Sequence, residues 1–151
     1  MAVTRKVLRA GVPHALEADG EAPLLEVVQA HLGVRSVSRG CEDGSCGACR
    51  VLVDRSVVNA CRVPWKDVRD GAMLETYEDV ATEPAAVRAV SAFAEERPTR
   101  CSLCVGGLGV AAVALERSGK AGDAEAVEAT LVNATCMCTG RGSLRRALLK
   151  P

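Results

Sequence analysis

Residues 40–49 read Gly-Cys-Glu-Asp-Gly-Ser-Cys-Gly-Ala-Cys, and a further cysteine follows at position 61. The spacing, C-x4-C-x2-C completed by a distant fourth cysteine, is the plant-type arrangement that binds a [2Fe–2S] cluster. Zinc sites more often use two C-x2–4-C pairs, so a cluster fits this spacing better than a zinc ion, which is the alternative. The stretch therefore predicts a cluster with four thiolate ligands: Cys41, Cys46, Cys49 and Cys61.

The same loop contains three glycines that suit the wrapping of an inorganic core. Glycine permits positive φ and a close approach of the backbone, so main-chain N–H groups can turn toward sulfur. Ser45 and Ala48 are small and keep side chains away from the site. We therefore predict that Gly40, Gly44 and Gly47 contribute to cofactor binding.

Four more cysteines form a C-x2-C pair, Cys101 and Cys104, and a C-x-C pair, Cys136 and Cys138. Each pair is placed just before a predicted helix, where free N–H groups and the helix dipole stabilise negative charge. A thiolate-bound iron–sulfur cluster and a zinc–tetrathiolate centre are both anionic, so the spacing alone leaves both open. The residues predict a second metal centre on these four thiolates.

Composition narrows the class of protein. The chain has 151 residues and eight cysteines, with one Trp, one Tyr and one Phe. Its net charge is zero and its pI is about 6.7, which gives no indication of nucleic-acid binding. We find no apolar run that could span a membrane and no signal-peptide pattern at the start. We therefore expect a cytoplasmic protein, in which metal ligation is favoured over disulfides.

The first half of the chain has the pattern of a small sheet crossed by one helix, which predicts a domain over residues 1–79. It begins with two predicted strands within 3–18 around a turn at Gly11-Val12-Pro13. A predicted helix follows between Pro23 and Gly33, with four apolar residues on one stripe: Leu24, Leu25, Val28 and Leu32. The remaining predicted strands are one led by Val51 and Val53, its return at Val57-Val58 after a turn at Asp54-Arg55-Ser56, and a final strand within 72–77.

The second half repeats the order helix, cysteine pair, helix. This layout predicts an all-α, four-helix domain over residues 80–151, and hence an α+β chain. The first predicted helix has its cap and first turn at Thr82-Glu83-Pro84 and runs to about Glu96, with Val87, Val90 and Ala94 at helical spacing. The others run from about Leu108 to Ser118, from a cap at Asp123 to about Val132, and onward from a cap at Ser143.

The whole cysteine order resembles the iron–sulfur subunit of the molybdenum hydroxylases, a family that includes xanthine dehydrogenase, aldehyde oxidoreductase and carbon monoxide dehydrogenase. The resemblance extends from about residue 3 to residue 149. The motifs that carry it are Gly40-Cys41, Gly44, Cys46-Gly47-Ala48-Cys49, Val51-Leu52-Val53-Asp54, Cys61, Cys101-x2-Cys104 and Cys136-x-Cys138-Thr139-Gly140.

This resemblance implies two [2Fe–2S] clusters. The cluster farther from molybdenum lies in an N-terminal ferredoxin-like β-grasp domain, and the nearer one lies in a C-terminal four-helix domain. It also implies a hetero-oligomer in which electrons pass from a molybdopterin-binding large subunit through both clusters to FAD in a medium subunit, or to another acceptor. On this interpretation the chain itself contains no substrate-transforming site.

The sequence departs from the family pattern around the second site. The family has Gln-Cys-Gly-Phe-Cys-Thr-Pro-Gly where this chain has Arg100-Cys101-Ser102-Leu103-Cys104-Val105-Gly106-Gly107. The resemblance places Arg100 and Cys138 against the pterin, and arginine is a permanently charged donor. The alternatives are a two-cluster electron carrier for a non-molybdenum oxidoreductase and a zinc-stapled interaction module.

Overall fold

The chain begins with a β-hairpin made of β1 (Ala2–Arg9) and β2 (Val12–Asp19). The computed structural model of the protein describes residues 1–96 and 101–150. The turn is Ala10-Gly11, with φ of 50° and 78°, and two such residues match the twist of the flanking strands. The two strands are confirmed, but Val12 and Pro13 pair with Arg9 and Leu8 instead of forming the predicted turn.

A single helix, α1 (Leu24–Leu32), packs on this sheet. Pro23 precedes it with extended backbone, and Gly33 ends it in the left-handed region at φ 61°, as predicted for these two residues. Leu24, Leu25, Val27 and Val28 of this helix are buried. They join a core that also contains the fully buried Trp65, whose indole N–H donates to the carbonyl oxygen of Val3 (2.8 Å).

Three further strands complete one five-stranded mixed sheet in the order β2-β1-β5-β3-β4. They are β3 (Arg50–Val53), β4 (Ser56–Asn59) and β5 (Ala72–Glu75). Strand β5 runs parallel to β1 and antiparallel to β3. The prediction of an α+β chain with a small sheet and one crossing helix is thus confirmed.

Five more α-helices follow in the described part of the chain: α2 (Tyr77–Val80), α3 (Pro84–Glu96), α4 (Val105–Arg117), α5 (Ala124–Thr130) and α6 (Gly140–Leu149). None of the helices described is long and apolar enough to cross a membrane. Helix α3 packs on α4 and α6. Its predicted end at about Glu96 is confirmed, but two of the residues at helical spacing, Val87 and Ala94, are exposed. Small residues face the neighbouring helices instead, with one aromatic ring: Ala85, Ala86, Ala89, Ala92 and Phe93.

Helix α4 begins three residues earlier than its sequence suggests, because Gly106 and Gly107 are helical and buried. Glycine disfavours helix, but here the absence of a side chain allows close packing. A Cβ at Gly106 would lie 2.8 Å from the carbonyl oxygen of Ser36, and one at Gly107 would overlap the carbonyl oxygen of Gly47. A Cβ at Gly109 would overlap the ring of Tyr77.

The last two helices differ in how they begin. Asp123 caps α5 as predicted, since its carboxylate accepts from the N–H of Ala126 (2.8 Å). The predicted cap of α6 is wrong: Thr139 precedes the helix, and Ser143 is buried within it. The Ser143 hydroxyl contacts the hydroxyl of Thr139 (2.6 Å) and the carbonyl oxygen of Gly140 (3.1 Å). Its polar group is therefore satisfied inside the first turn.

We predict that Gly107→Ala destabilises the chain, because the added methyl group overlaps a backbone oxygen that cannot move independently. Overpacking of this kind costs about 1–3 kcal/mol. Urea unfolding followed by circular dichroism measures the change. Gly142→Ala is the matched control, since the nearest atom to its Cβ is the end of the flexible Arg146 side chain at 3.2 Å. Equal stability of the two variants would contradict the tight contact.

Candidate metal centres

The first four predicted ligands lie on one loop and on a short 3₁₀ helix. The loop joins α1 to β3, and the 3₁₀ helix Ala60–Arg62 follows β4 and contains Cys61. The N–H of Ala60 donates to the carbonyl oxygen of Cys49 (3.2 Å), and the N–H of Cys61 contacts the Cys49 Sγ (3.5 Å). The fourth cysteine is thereby held against the loop that contains the other three.

The three glycines of this loop each occupy a position that a larger residue would disturb. Gly44 and Gly47 have φ of 81° and 72°, a region that L side chains rarely adopt. Gly40 has no such backbone, but a Cβ there would lie 2.9 Å from the Sγ of Cys46. The N–H of Ala48 contacts the same sulfur at 3.4 Å. These contacts explain the glycines, while their part in cofactor binding stays a prediction.

The thiols of this site are associated in pairs. The Cys41 thiol contributes to the raised pKa of Cys46, and the Cys49 thiol contributes to the raised pKa of Cys61. Among residues 1–96 and 101–150, no three His, Cys, Asp or Glu side chains form a group that could hold one metal ion. The thiols of the first site are instead arranged as two pairs. A [2Fe–2S] cluster takes two protein ligands on each iron, and two adjacent thiol pairs suit it.

Burial and hydrogen bonding shift the pKa values of two thiols at this site in opposite directions. Burial, aided by the Cys49 thiol, raises the pKa of Cys61 to about 12. Burial also raises the pKa of Cys41, but the N–H groups of Cys46, Gly44 and Ser45 and the Cys46 thiol outweigh it, so the pKa of Cys41 lies below its ordinary value. Metal ligation needs every thiol deprotonated, so metal binding here releases protons.

The other four cysteines precede two helix starts, as predicted. Cys104 is the residue directly before α4, and the N–H of Gly140, the first residue of α6, donates to the carbonyl oxygen of Cys136 (2.8 Å). Burial, followed by the neighbouring Cys136, raises the pKa of Cys104 to about 12. Cys104 and Cys136 are buried, whereas Cys101 and Cys138 are exposed. Arg100, predicted to contact the pterin, lies outside the described residues.

The two groups of cysteines approach each other through Cys46 and Cys104. The charge of Cys46 contributes to the raised pKa of Cys104, after burial and Cys136. The N–H of Thr135, just before the second cysteine pair, donates to the carbonyl oxygen of Cys46 (3.1 Å). Gly107, three residues after Cys104, lies against the backbone of Gly47. Direct backbone contacts therefore set the separation of the two sites.

One carboxylate holds the segment before the first site. Glu78 accepts from the N–H groups of Arg35 (2.9 Å) and Ser36 (2.8 Å), and from the Thr76 hydroxyl (2.8 Å). Burial raises the pKa of Glu78, but the hydrogen bonds from Ser36 and Thr76 outweigh it and bring the pKa to about 2. The carboxylate is thus ionised at neutral pH and fixes Ser36, on which Gly106 packs.

Sequence reasoning missed Arg50, a charged residue buried beside the first site. Only 6% of it is exposed, and it lies between the ligand Cys49 and the apolar run that begins at Val51. Among the described residues, no carboxylate forms an ion pair with it. A buried cation without an anion is unfavourable, and four thiolates around a cluster would supply that anion. The sequence does contain one signal for this residue: Arg50 is a charged residue at the start of the apolar strand β3.

The comparisons with known proteins agree with this geometry. Residues 8–81 match the model of the 2Fe-2S iron-sulfur cluster binding domain. The xanthine dehydrogenase iron-sulfur-binding subunit of Escherichia coli O157:H7 is 31% identical over 134 residues, which cover 86% of this chain and 82% of that protein. The chain belongs to the iron–sulfur subunit family of the molybdenum hydroxylases. Its members are electron-transfer components of oxidoreductases, and so is this chain.

Longer relatives contain the same unit as a segment. The aldehyde oxidoreductase of Megalodesulfovibrio gigas is 37% identical over 105 residues, covering 70% of this chain and 12% of that protein. A solved structure of the aldehyde oxidoreductase from Desulfovibrio gigas superposes with a TM-score of 0.80 at 30% identity, over 97% of this chain and 16% of the other. The N-terminal sheet with its cysteine loop is thus a ferredoxin-like [2Fe–2S] unit.

We predict that Gly40→Ala weakens cluster binding at the first site. The added methyl group would lie 2.9 Å from the Cys46 sulfur, and relieving that overlap costs about 1–3 kcal/mol. Iron per chain and the visible absorption of the reconstituted protein report the loss. Gly142→Ala serves again as the control, with full iron expected. Full iron in the Gly40 variant would show that the sulfur can shift without loss of binding.

Proposed function

We propose that the chain conducts electrons between two [2Fe–2S] clusters, one at each group of thiols. When bound, such clusters take up and release single electrons. The proposed ligands are Cys41, Cys46, Cys49 and Cys61 for the first cluster, and Cys101, Cys104, Cys136 and Cys138 for the second. The observation that carries this proposal is the approach of Cys46 to Cys104: these two buried cysteines, one from each site, line the same small cavity.

We further propose two domains, a ferredoxin-like β-grasp domain over 1–79 and a four-helix domain over 80–151. Two separate hydrophobic clusters support this division. One contains the sheet and α1 around Trp65, and the other contains α3, α4 and α6 around Phe93. Leu52 of β3 belongs to the second cluster, so the two domains would share a continuous apolar contact.

The exposed edge of the second site suits a partner that delivers electrons. Cys101 and Cys138 are exposed there, and the neighbouring Met137 is 71% exposed although it is large and apolar. We propose that a molybdopterin-binding large subunit covers this edge, with Arg100 and Cys138 toward the pterin. The relative from Escherichia coli is named as a subunit, which supports a hetero-oligomer.

The first site would then pass electrons outward. Its ligands Cys41 and Cys61 are partly exposed, whereas Cys46 and Cys49 are buried. We propose that the acceptor, FAD on a medium subunit or another carrier, docks near the exposed pair. The backbone of this chain would hold both clusters at fixed separation, so its task is positioning and insulation from water.

The clusters themselves are tested by low-temperature EPR of the anaerobically purified, dithionite-reduced chain, with iron and acid-labile sulfide assayed on the same sample. We expect two distinct [2Fe–2S] signals. Zinc without labile sulfide would exclude electron transfer by either site and favour a zinc-stapled module.

The ligand assignment predicts selective losses in a matched pair of variants. Cys104→Ser should abolish the signal of the second cluster and preserve the first, and Cys49→Ser should do the reverse, because each removes one thiolate from one site. EPR of both reduced variants measures this. Loss of both signals in either variant would contradict two independently loaded sites.

The proposed partner is tested separately by purifying the tagged chain from its native cells. We expect a large subunit containing molybdenum and pterin to copurify. A copurifying oxidoreductase that lacks both would replace this assignment with a two-cluster carrier for a different enzyme.

A further inference from the structure

Arg50 is held rigidly at the junction of the two groups of cysteines. Its Nε donates to the Oδ1 of Asn59 (3.2 Å), and its Nη2 donates to the carbonyl oxygen of Thr130, the last residue of α5. Asn59 in turn donates to the carbonyl oxygens of Gly44 (2.9 Å) and Asn133 (3.2 Å). The guanidinium is therefore fixed by both the cysteine loop side and the helical side of the chain.

The charge of Arg50 is directed at the first site. Arg50 directly follows the proposed ligand Cys49 in the chain, and it lines one small cavity with Cys46, so it is close to one member of each thiol pair. A guanidinium stays protonated at neutral pH. Charges interact more strongly in a buried environment than in water.

Other cations near this site act through solvent. Arg39 influences Cys61 weakly, but its side chain is 39% exposed and forms an ion pair with Glu26 (3.4 Å). Exposed pairs of this kind contribute little. Arg62, which follows Cys61, is also exposed. Among the residues described, Arg50 is the one buried cation.

We propose that Arg50 is a positioning residue that tunes electron transfer, because its buried positive charge stabilises the reduced form of the first cluster and raises its potential relative to the second. This inference rests on the proposed function. One-electron reduction adds a negative charge to the cluster, and a fixed cation favours the more negative state. Electrons delivered at the second site would thereby be drawn toward the first.

The test is an EPR-monitored redox titration of the full chain with both clusters reconstituted. Arg50→Gln removes the charge and keeps an amide that can still donate a hydrogen bond. We expect the equilibrium constant for reduction of the first cluster to fall at least tenfold, which is 59 mV for one electron, with a smaller change at the second. Arg50→Lys keeps the charge and should retain most of the potential.

Arg88→Gln is the matched control for loss of a positive charge. Arg88 lies on the surface and pairs with Glu116 of α4, so its removal should leave both potentials unchanged. Intact signals with an unshifted first potential in Arg50→Gln would overturn the inference and leave the proposed function standing. Absence of cluster signals in the unmodified chain would overturn both.

Failure of Arg50→Gln to hold the first cluster is also informative. If Arg50→Lys holds it, the positive charge is required for the anionic centre, and the inference is supported. If neither variant holds it, the side chain acts through its shape and hydrogen bonds, and the inference is overturned.

Discussion

The backbone contact between Gly47 and Gly107 sets the relation between the two halves of the molecule. Gly47 lies between two cysteines of the first site, and Gly107 lies in the first turn of α4, just after Cys104. Because neither residue has a side chain, the loop and the helix meet at the level of their main chains. Ligand positions are thus coupled through backbone, which is stiffer than any side-chain contact.

This close approach brings negative charges near each other, and the positive charge of Arg50 offsets their repulsion. Two anionic clusters held this close would repel each other, and the negative charge of Cys46 contributes to the raised pKa of Cys104. A buried cation with hydrogen bonds to Asn59 and Thr130 offsets negative charge where water is excluded. The same interface therefore needs both its glycines and its arginine: the glycines permit contact, and the charge makes contact tolerable.

Much of the fold could be predicted from the sequence because local rules and tertiary structure agree there. Pro23 and Gly33 lie at the ends of α1, where local preference places these two residues in any helix. The sheet was predictable because short apolar strands alternate with turns in the sequence. The cysteine groups were apparent because their spacing is itself a chemical requirement. The domain division and the ligand roles of the individual cysteines stay predictions.

Prediction failed where tertiary contacts override local preference. The sequence predicts that α4 begins at about Leu108, after Gly106 and Gly107, because only the distant loop that these glycines contact explains their place in a helix. Ser143 resembles a cap, but a buried hydroxyl can be satisfied within a helix by Thr139. Val87 is exposed because the tight α3–α4 contact selects alanines over larger residues. Arg50 looks like a surface charge until the position of α5 is known.

The distribution of exposure along the cysteines gives the molecule a direction. Cys101 and Cys138 are exposed, whereas Cys104 and Cys136 are buried; at the first site Cys46 is buried and Cys41 is partly exposed. Each site thus has one protected side, turned to the other site, and one accessible side. Two sites arranged in this way have a short distance for electron transfer between them, and each has an exposed side that a partner can reach. A chain with these features is suited to electron transfer in series between two partners.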